Sequence, residues 1–360
     1  MSQRSIALCH EWITTYGGSE QVAQRLAETL DIDDVYTFAA RPELARELFP
    51  NRKVHAYTLG KTGREHWQRL LPIMPHAWSR LDLSAYEVVI TSSHSCSNAI
   101  RVAPGTVHIS YCYTPMRYAW NWRSEVGRLP FALRPAWPPM AAILRRADRA
   151  WAQRVTAFVA ISKHVASRIL TFYGRDAEVV YPPVDTSYWT PEGNERGDYF
   201  LCAGRLVAYK RIDTAVRAAE MTGQRLVVAG DGPELRRLQR MAGDRTEFVV
   251  NPSNEELRNL YRQARALVFP GLEDFGLTMI EAQACGTPVI AFGEGGAAEA
   301  VGDGETGTLY REPTEVALAE AMRGFDPDRF DPAAIRRHAE RFGVPRFEKE
   351  IRAVVDDAVN

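Results

Sequence analysis

Ala266-Leu267-Val268-Phe269-Pro270-Gly271-Leu272-Glu273-Asp274-Phe275-Gly276-Leu277-Thr278-Met279-Ile280-Glu281-Ala282 is the stretch that decides the fold. The apolar run Ala266 to Phe269 predicts a buried parallel strand. Pro270 to Phe275 then reads as the loop at its C-terminal edge, and Gly276 to Ala284 as a helix leaving that edge. Open α/β sheets bind ligands there. The N–H groups of Gly276, Leu277 and Thr278 in the first helical turn, helped by the macrodipole, form a seat for an anion such as a diphosphate. Helical side chains tilt toward the N-terminus, so Glu281 reaches back beside that seat, where a ribose diol would lie. Glu273 lies on the other side, over a sugar; a carboxylate has two acceptor oxygens and can hold a pair of hydroxyls. Taken alone, two acids at this spacing are better explained as solvated groups flanking a helix start. The other motifs reverse that reading toward a nucleotide-sugar site.

Around this segment the C-terminal half alternates strands and helices. Apolar runs at Tyr199 to Ala203, Arg225 to Ala229, Thr246 to Val250 and Pro288 to Phe292 are separated by helix-period stretches at Ile212 to Met221, Pro233 to Met241 and Glu255 to Ala264. Ser253-Asn254-Glu255-Glu256 is a capping box. Such alternation implies right-handed crossovers and a parallel sheet. Gly204 turns the first strand toward Arg205 and Lys210, a guanidinium fork and a point charge that together can neutralise a departing diphosphate without a metal. Alone, the pair fits solvated cations on a loop equally well. Gly230-Asp231-Gly232-Pro233 makes another strand-to-helix turn and, with the backbone near Val250 to Pro252, a wall for the nucleotide base.

The N-terminal half repeats the pattern more loosely, with strands near Ile6, Val35, Val54, Val88, Val107, Phe158 and Val179 and helices after Gly18 and Lys163. The fold class is α/β with two Rossmann-like domains facing a cleft. The expected boundaries are residues 1–185 for an acceptor domain, 186–335 for a donor domain and 336–360 for a helical segment crossing back to the first, with breaks near Gly343 and Pro345. The linker is placed in the Pro-, Gly- and charge-rich stretch 182–198. Gly17 and Gly18 follow the first strand and let a phosphate or sugar approach the backbone; Glu20 reads as a partner of the helix dipole. His10 and His94 follow strand ends and would contact sugar or acceptor, with a capped polar turn as the competing reading. No nucleophile elbow or Cys/His pairing is found. Asp31-Ile32-Asp33 and Asp326-Pro327-Asp328 are better explained as caps and turns than as metal ligands.

The 360 residues suffice for two α/β cores. A net charge of -1 gives no reason to expect nucleic acid. The five scattered cysteines suggest reduced core thiols and a cytoplasmic protein, and the sequence shows no signal-peptide core or membrane span. Eight arginines between Arg117 and Arg154 interleave with Trp120, Trp122, Trp137 and Trp151. That stretch reads either as a face for anionic membrane or as a face packed by its own tryptophans.

Together, Gly17-Gly18, Gly204-Arg205 with Lys210, Gly230-Asp231-Gly232-Pro233-Glu234 and the Glu273 to Glu281 segment resemble retaining glycosyltransferases of family 4, which have the GT-B fold. Ala160-Ile161-Ser162-Lys163-His164-Val165, Gly286-Thr287-Pro288-Val289-Ile290 and Gly295-Gly296 with Glu299 extend the likeness over essentially the whole chain. The resemblance implies that Arg205 and Lys210 contact the donor diphosphate, Glu273 the hexose and Glu281 the ribose. Gly17, Gly18, Gly204, Gly230, Gly232, Pro233, Val250, Phe275, Gly276, Leu277 and Thr278 would shape the donor site, with His10, His94, Tyr113 and Arg117 near the acceptor or sugar. His10-Glu11-Trp12 and Tyr111 to Trp120 look more narrowly like the O-antigen mannosyltransferase branch, linked to GDP-mannose. There Tyr113 and Asn121 depart from the usual His and Asp, which bears on the acceptor. The implied reaction is metal-free transfer with retention to a glycan or lipid-linked hydroxyl, at the inner membrane face or free in the cytoplasm. A GT-B phosphorylase, a sugar-nucleotide epimerase and a noncatalytic sugar-binding protein are the alternatives.

Overall fold

The computed structural model describes residues 4–58, 70, 72–121, 134–135, 137–192 and 196–360. The chain forms two compact units, Met1–Pro182 with Phe347–Asn360, and Pro183–Arg346.

In the first unit, strands β1 (Ile6–Ile13), β2 (Asp34–Ala40), β3 (Lys53–Ala56), β4 (Val88–Ser93), β5 (Val107–Cys112), β6 (Ala157–Ala160) and β7 (Glu178–Val179) form one sheet in the order β3-β2-β1-β4-β5-β6-β7. Every pairing is parallel. β1 lies between β2 and β4, so the strand order reverses there, and the C-terminal ends of β1 and β4 mark the place where open α/β sheets bind ligands. All six residues of β4 are buried, as expected for a central strand covered on both faces. The helix Gly18–Thr29 follows β1 directly. The helix Lys163–Tyr173 starts at Ser162, whose hydroxyl accepts the Val165 N–H, and ends at left-handed Gly174. The last helix, Val344–Val359, carries Phe347, Ile351, Val354 and Val355 into the core of the first unit. The expected break at Gly343 is found, but Pro345 does not break the chain. It falls in the first helical turn, where its missing N–H has no intrahelical role.

In the second unit, β8 (Tyr199–Ala203), β9 (Arg225–Ala229), β10 (Thr246–Val249), β11 (Ala266–Phe269), β12 (Val289–Phe292) and β13 (Gly307–Tyr310) form a parallel sheet in the order β10-β9-β8-β11-β12-β13. Its reversal lies between β8 and β11. Phe200, Leu226, Val268 and Ile290 meet the helix residues Ala215, Val216 and Leu318 in one core. The capping box at Ser253 and Glu256 is present, with both reciprocal hydrogen bonds. Two features differ from the sequence reading. β13 was not foreseen, because it opens on glycine; a Cβ at Gly307 would lie 2.0 Å from the Val289 carbonyl oxygen, so the close approach to β12 requires that residue. The helix expected from Pro233 begins at Leu235, because the Leu206 carbonyl takes the Glu234 N–H at 3.1 Å and holds residues 232–234 in a turn. All five cysteines are buried and free.

Candidate functional site

At the reversal of the second sheet, β8 runs into Gly204 at φ 119°. A Cβ there would meet Lys210 Nζ at 3.0 Å and Thr278 Cγ2 at 3.7 Å. The ammonium group, the first turn of the helix Leu277–Ala284 and the Gly204 backbone therefore border one small space. Gly276 precedes that helix at φ 94°. The N–H groups of Leu277 and Thr278 have no intrahelical acceptor, that of Met279 donates to the Gly276 carbonyl at 3.0 Å, and Thr278 Oγ1 is buried without a hydrogen-bond partner. Leaving such a hydroxyl unpaired costs about 1–3 kcal/mol, which an anion seated on the helix would offset. Lys210 Nζ also lies 5.8 Å from the centroid of Phe269, the last residue of β11. Arg205 is exposed beside it.

Glu281, 7% exposed, accepts a hydrogen bond from the Tyr261 hydroxyl at 3.0 Å. Burial pushes its pKa up to about 7, against the opposing influence of the Tyr261 hydrogen bond and the Lys210 charge. The folded protein therefore binds a proton here that the unfolded chain has lost, between roughly pH 4.5 and 7. The stabilising contribution is present below the unfolded pKa and disappears as pH rises through the folded one. Glu281→Gln mimics the protonated form. Its melting temperature relative to wild type should rise between pH 5 and pH 8, and parallel melting curves across that range would refute the assignment.

Glu273 is half-buried. Its carbonyl accepts the Gly296 N–H at 2.8 Å, and its backbone bridges to Gly295, so the loop after β11 is clipped to the turn after β12. Phe275 is buried, with its ring 5.6 Å from Phe342; it offers backbone to a ligand, not its ring. Gly230 approaches Gly204 closely, since a Cβ on Gly230 would lie 2.1 Å from the Gly204 carbonyl oxygen. Gly232 and Pro233 occupy the turn after β9. Val250, 45% exposed, follows β10. An Asn251 Nδ2 to Asp231 Oδ2 contact of 3.3 Å ties these two loops together.

The first unit gathers its own polar cluster at the end of β1 and β4. His10, on β1, is fully buried and lies with Nδ1 3.0 Å from Ser92 Oγ. Ser92 Oγ in turn sits 2.9 Å from the Tyr113 hydroxyl, which donates to the Ser19 carbonyl at 3.0 Å. His10 Nε2 lies 3.8 Å from Glu20 Oε1 and has no hydrogen-bond partner. Glu20, read from sequence as a dipole partner, is turned inward and only 3% exposed. His94 packs edge-on to Trp12 at 4.5 Å, with its ring 6.2 Å from His10 and 6.0 Å from Tyr113. Burial, reinforced by His10 and Arg117, pushes the His94 pKa down to about 3, so this imidazole is neutral at physiological pH. Glu11 Oε1 takes the N–H groups of Ser95 and Ser97, each at 2.9 Å, and so fixes the loop bearing His94. His10, His94 and Tyr113 thus come together, with Arg117 close enough to act on His94, around Ser92, which the sequence did not single out, and Glu20, which it placed only at the helix dipole. Gly17 and Gly18 lead into the helix that carries Glu20.

The basic, tryptophan-bearing stretch divides. Trp120 stacks on Phe172 at 4.4 Å, lies under the Arg145 and Arg149 guanidinium groups, and donates to Asp148 at 2.7 Å. Arg145 also donates to the Ala119 carbonyl, and Arg149 to that of Phe172. That part is a packed face. Met140, Ile143 and Arg146 on the helix Trp137–Ala152 remain exposed. Trp122, Arg123 and Arg128 lie outside the described residues. Asp326 caps a 3-10 turn through the Asp328 N–H, as read from sequence. Among the described residues, no helix is long and apolar enough to cross a membrane.

Residues 16–188 match the family described as Glycosyltransferase Family 4, and residues 189–341 the family described as Glycosyl transferases group 1. Among curated proteins, the chain is 31% identical over 244 residues to a D-inositol 3-phosphate glycosyltransferase of Salinispora tropica, covering 56% of this chain and 51% of that one. It is 32% identical over 193 residues to a GDP-mannose-dependent alpha-(1-6)-phosphatidylinositol monomannoside mannosyltransferase of Mycolicibacterium smegmatis, covering 45% and 50%. The chain thus spans about half the length of these relatives. Among solved structures, a sucrose-phosphate synthase from Thermosynechococcus elongatus superimposes with a TM-score of 0.77 at 20% identity, covering 98% of each chain. Anabaena Alr3699/HepE in complex with UDP and glucose gives 0.73 at 16% identity, covering 98% of this chain and 100% of that one. The fold is that of the GT-B glycosyltransferases, with a family 4 match in the first half and a group 1 match in the second.

Proposed function

We propose that this chain is a retaining hexosyltransferase that moves mannose from GDP-mannose to a hydroxyl of a glycan or lipid-linked acceptor without a metal. The observation that carries the reading is the convergence of Lys210 Nζ, Thr278 and the helix N-terminus on Gly204. Those groups suit a diphosphate leaving group. In this reading Arg205 and Lys210 neutralise the charge that develops as the bond from the sugar C1 to the phosphate oxygen breaks. The acceptor oxygen bonds to C1 on the same face and passes its proton to the departing phosphate. Glu273 holds the hexose and Glu281 the ribose, while the loops at Gly230, Gly232, Pro233 and Val250 border the base. In this reading His10, His94, Tyr113 and Arg117 of the first unit serve the acceptor or sugar, and Gly17 and Gly18 leave backbone open to a ligand. The printed name of the Mycolicibacterium smegmatis relative supports GDP-mannose. The Tyr111 to Trp120 stretch supports the narrower likeness to O-antigen mannosyltransferases.

A thermal-shift screen of nucleotide-sugars, followed by mass spectrometry of products with and without acceptor, tests this directly. GDP-mannose should stabilise the protein, by about 2.7 kcal/mol at a concentration 100 times its Kd, and give an acceptor-dependent product. Epimerised or phosphorolysed sugar without acceptor would reject it. Glu281→Gln should chiefly weaken GDP binding, whereas Glu273→Gln should leave GDP binding nearly intact and lower transfer. The reverse ordering in a GDP titration would show the two roles to be exchanged.

For a lipid-linked acceptor, the protein would work at the cytoplasmic face of an anionic membrane, touching it through Met140, Ile143 and Arg146, spaced three residues apart on one helix face. Polybasic attraction amounts to about 1 kcal/mol per Lys or Arg near the surface and is screened by salt. Ile143→Glu with Arg146→Glu leaves the packed Arg145 intact. It should abolish flotation with anionic liposomes at low salt, and undiminished flotation would remove this surface from consideration.

A further inference from the structure

The β2–β3 edge of the first sheet holds a cavity of about 110 Å³ that belongs to neither cluster described above. Tyr36 pairs in register with His55, and the pairing continues as the Tyr57 N–H donates to Thr37 and the Thr58 N–H to Phe38. Alternate residues of a strand share a face, so two ring pairs line up along this edge. Tyr36 stacks on His55 at 4.7 Å with an interplanar angle of 18°, and Phe38 on Tyr57 at 5.6 Å with 13°. The helix Met74–Ser79 contributes Ala77 and Trp78 to the lining. The short side chain of Ala77 leaves the space between.

Tyr36 and His55 offer their faces, because their hydrogen-bonding atoms are held by other residues. The Tyr36 hydroxyl lies 3.0 Å from that of Tyr86, and His55 Nε2 lies 2.7 Å from Asp34 Oδ1. Thr37, also in the lining, donates to the Ala39 carbonyl. The exception is Trp78. It is 2% exposed, and its indole Nε1 is buried without a hydrogen-bond partner. A buried water needs two to four polar partners, so one free donor among aromatic faces suits water poorly. Apolar cavities of about 150 Å³ take up benzene, which sets the scale of an occupant here. Tyr57, 47% exposed, marks the side open to solvent.

We propose that this cavity binds a ring-sized hydrocarbon group carrying one acceptor oxygen, of the dimensions of a benzyl or isoprenyl alcohol. The aromatic faces contact the hydrocarbon, and Trp78 Nε1 donates to the oxygen. The site is independent of the donor reading, and its test uses no nucleotide-sugar.

Protein carrying 15N-labelled tryptophan is titrated with benzyl alcohol and with toluene, which has the same ring but no oxygen. One indole resonance of the eight tryptophans, identified by its loss in Trp78→Phe, should move on adding benzyl alcohol. Benzyl alcohol should bind at least fivefold more tightly than toluene to wild type, and no more tightly than toluene to Trp78→Phe. Ala77→Leu, on the helix that lines the same face as the ring pairs, should fill the space and abolish binding of both probes while the melting transition stays cooperative. A stationary Trp78 signal at saturating probe, equal affinities for the two probes in wild type, or undiminished binding in Ala77→Leu would each overturn the proposal.

Discussion

Lys210→Ala should lower the rate of the proposed hexose transfer by about 10²–10³-fold, the loss expected when one preorganised donor to a developing oxyanion is removed, equivalent to about 2.7–4 kcal/mol. EDTA, by contrast, should leave the wild-type rate unchanged. The expectation rests on placement: Lys210 Nζ is held between the Phe269 ring and the Gly204 turn, beside the unpartnered Thr278 hydroxyl. Arg205 stands exposed on the same loop, so it is free to fold over a bound diphosphate, and Arg205→Ala should act in the same direction. Because the charge matters most as the bond to the leaving group breaks, kcat should fall more than KM rises. A strict divalent-metal requirement, or a Lys210→Ala variant with unaltered kcat, would remove both cations from the leaving-group role.

Gly230→Ala should be among the most damaging single methyl groups in the second unit. Gly230 has a φ of 142°, and an added Cβ would lie 2.1 Å from the Gly204 carbonyl oxygen, a rigid backbone atom. Strain and overpacking together make a loss of about 3 kcal/mol or more reasonable, or a fall in melting temperature of roughly 6–12 °C for a unit of this size. Gly174 is the control. It is also left-handed, at φ 66°, but a Cβ there would meet nothing within 4 Å, so Gly174→Ala should cost only about 1 kcal/mol. Calorimetry on the two variants separates crowding from backbone conformation; equal losses would mean that the close approach at Gly204 is not what Gly230 serves.

The strands of both sheets were legible because buried parallel strands read as short apolar runs, and so was the order of strand, glycine and helix around Gly276, because these elements follow one another locally. β13 escaped, since the glycine that lets it approach β12 looks like a turn residue. Tyr261 and Glu20 escaped for another reason. Each gains its role from a partner brought near by folding, Glu281 in one case and His10 in the other, and nothing in the spacing around either residue announces that partner. The arginine-rich stretch was ambiguous on paper because a guanidinium group stacks on tryptophan as readily as it faces a phosphate. The contacts at Trp120 assign Arg145 and Arg149 to packing.

The last helix has a consequence for the order in which the protein acquires its shape. Domains generally fold as units during synthesis, the N-terminal one first. Here the contiguous unit Pro183–Arg346 has all of its chain before residues 347–360 have been made, whereas the unit begun first still lacks a piece of itself. Until Phe347, Ile351, Val354 and Val355 arrive, the apolar surface they cover, including the Tyr111 ring 6.0 Å from that of Phe347, stands open on a nascent chain. The earlier-translated half is thus the later to be completed, and its exposure to chaperones or aggregation is set by the time needed to translate the other.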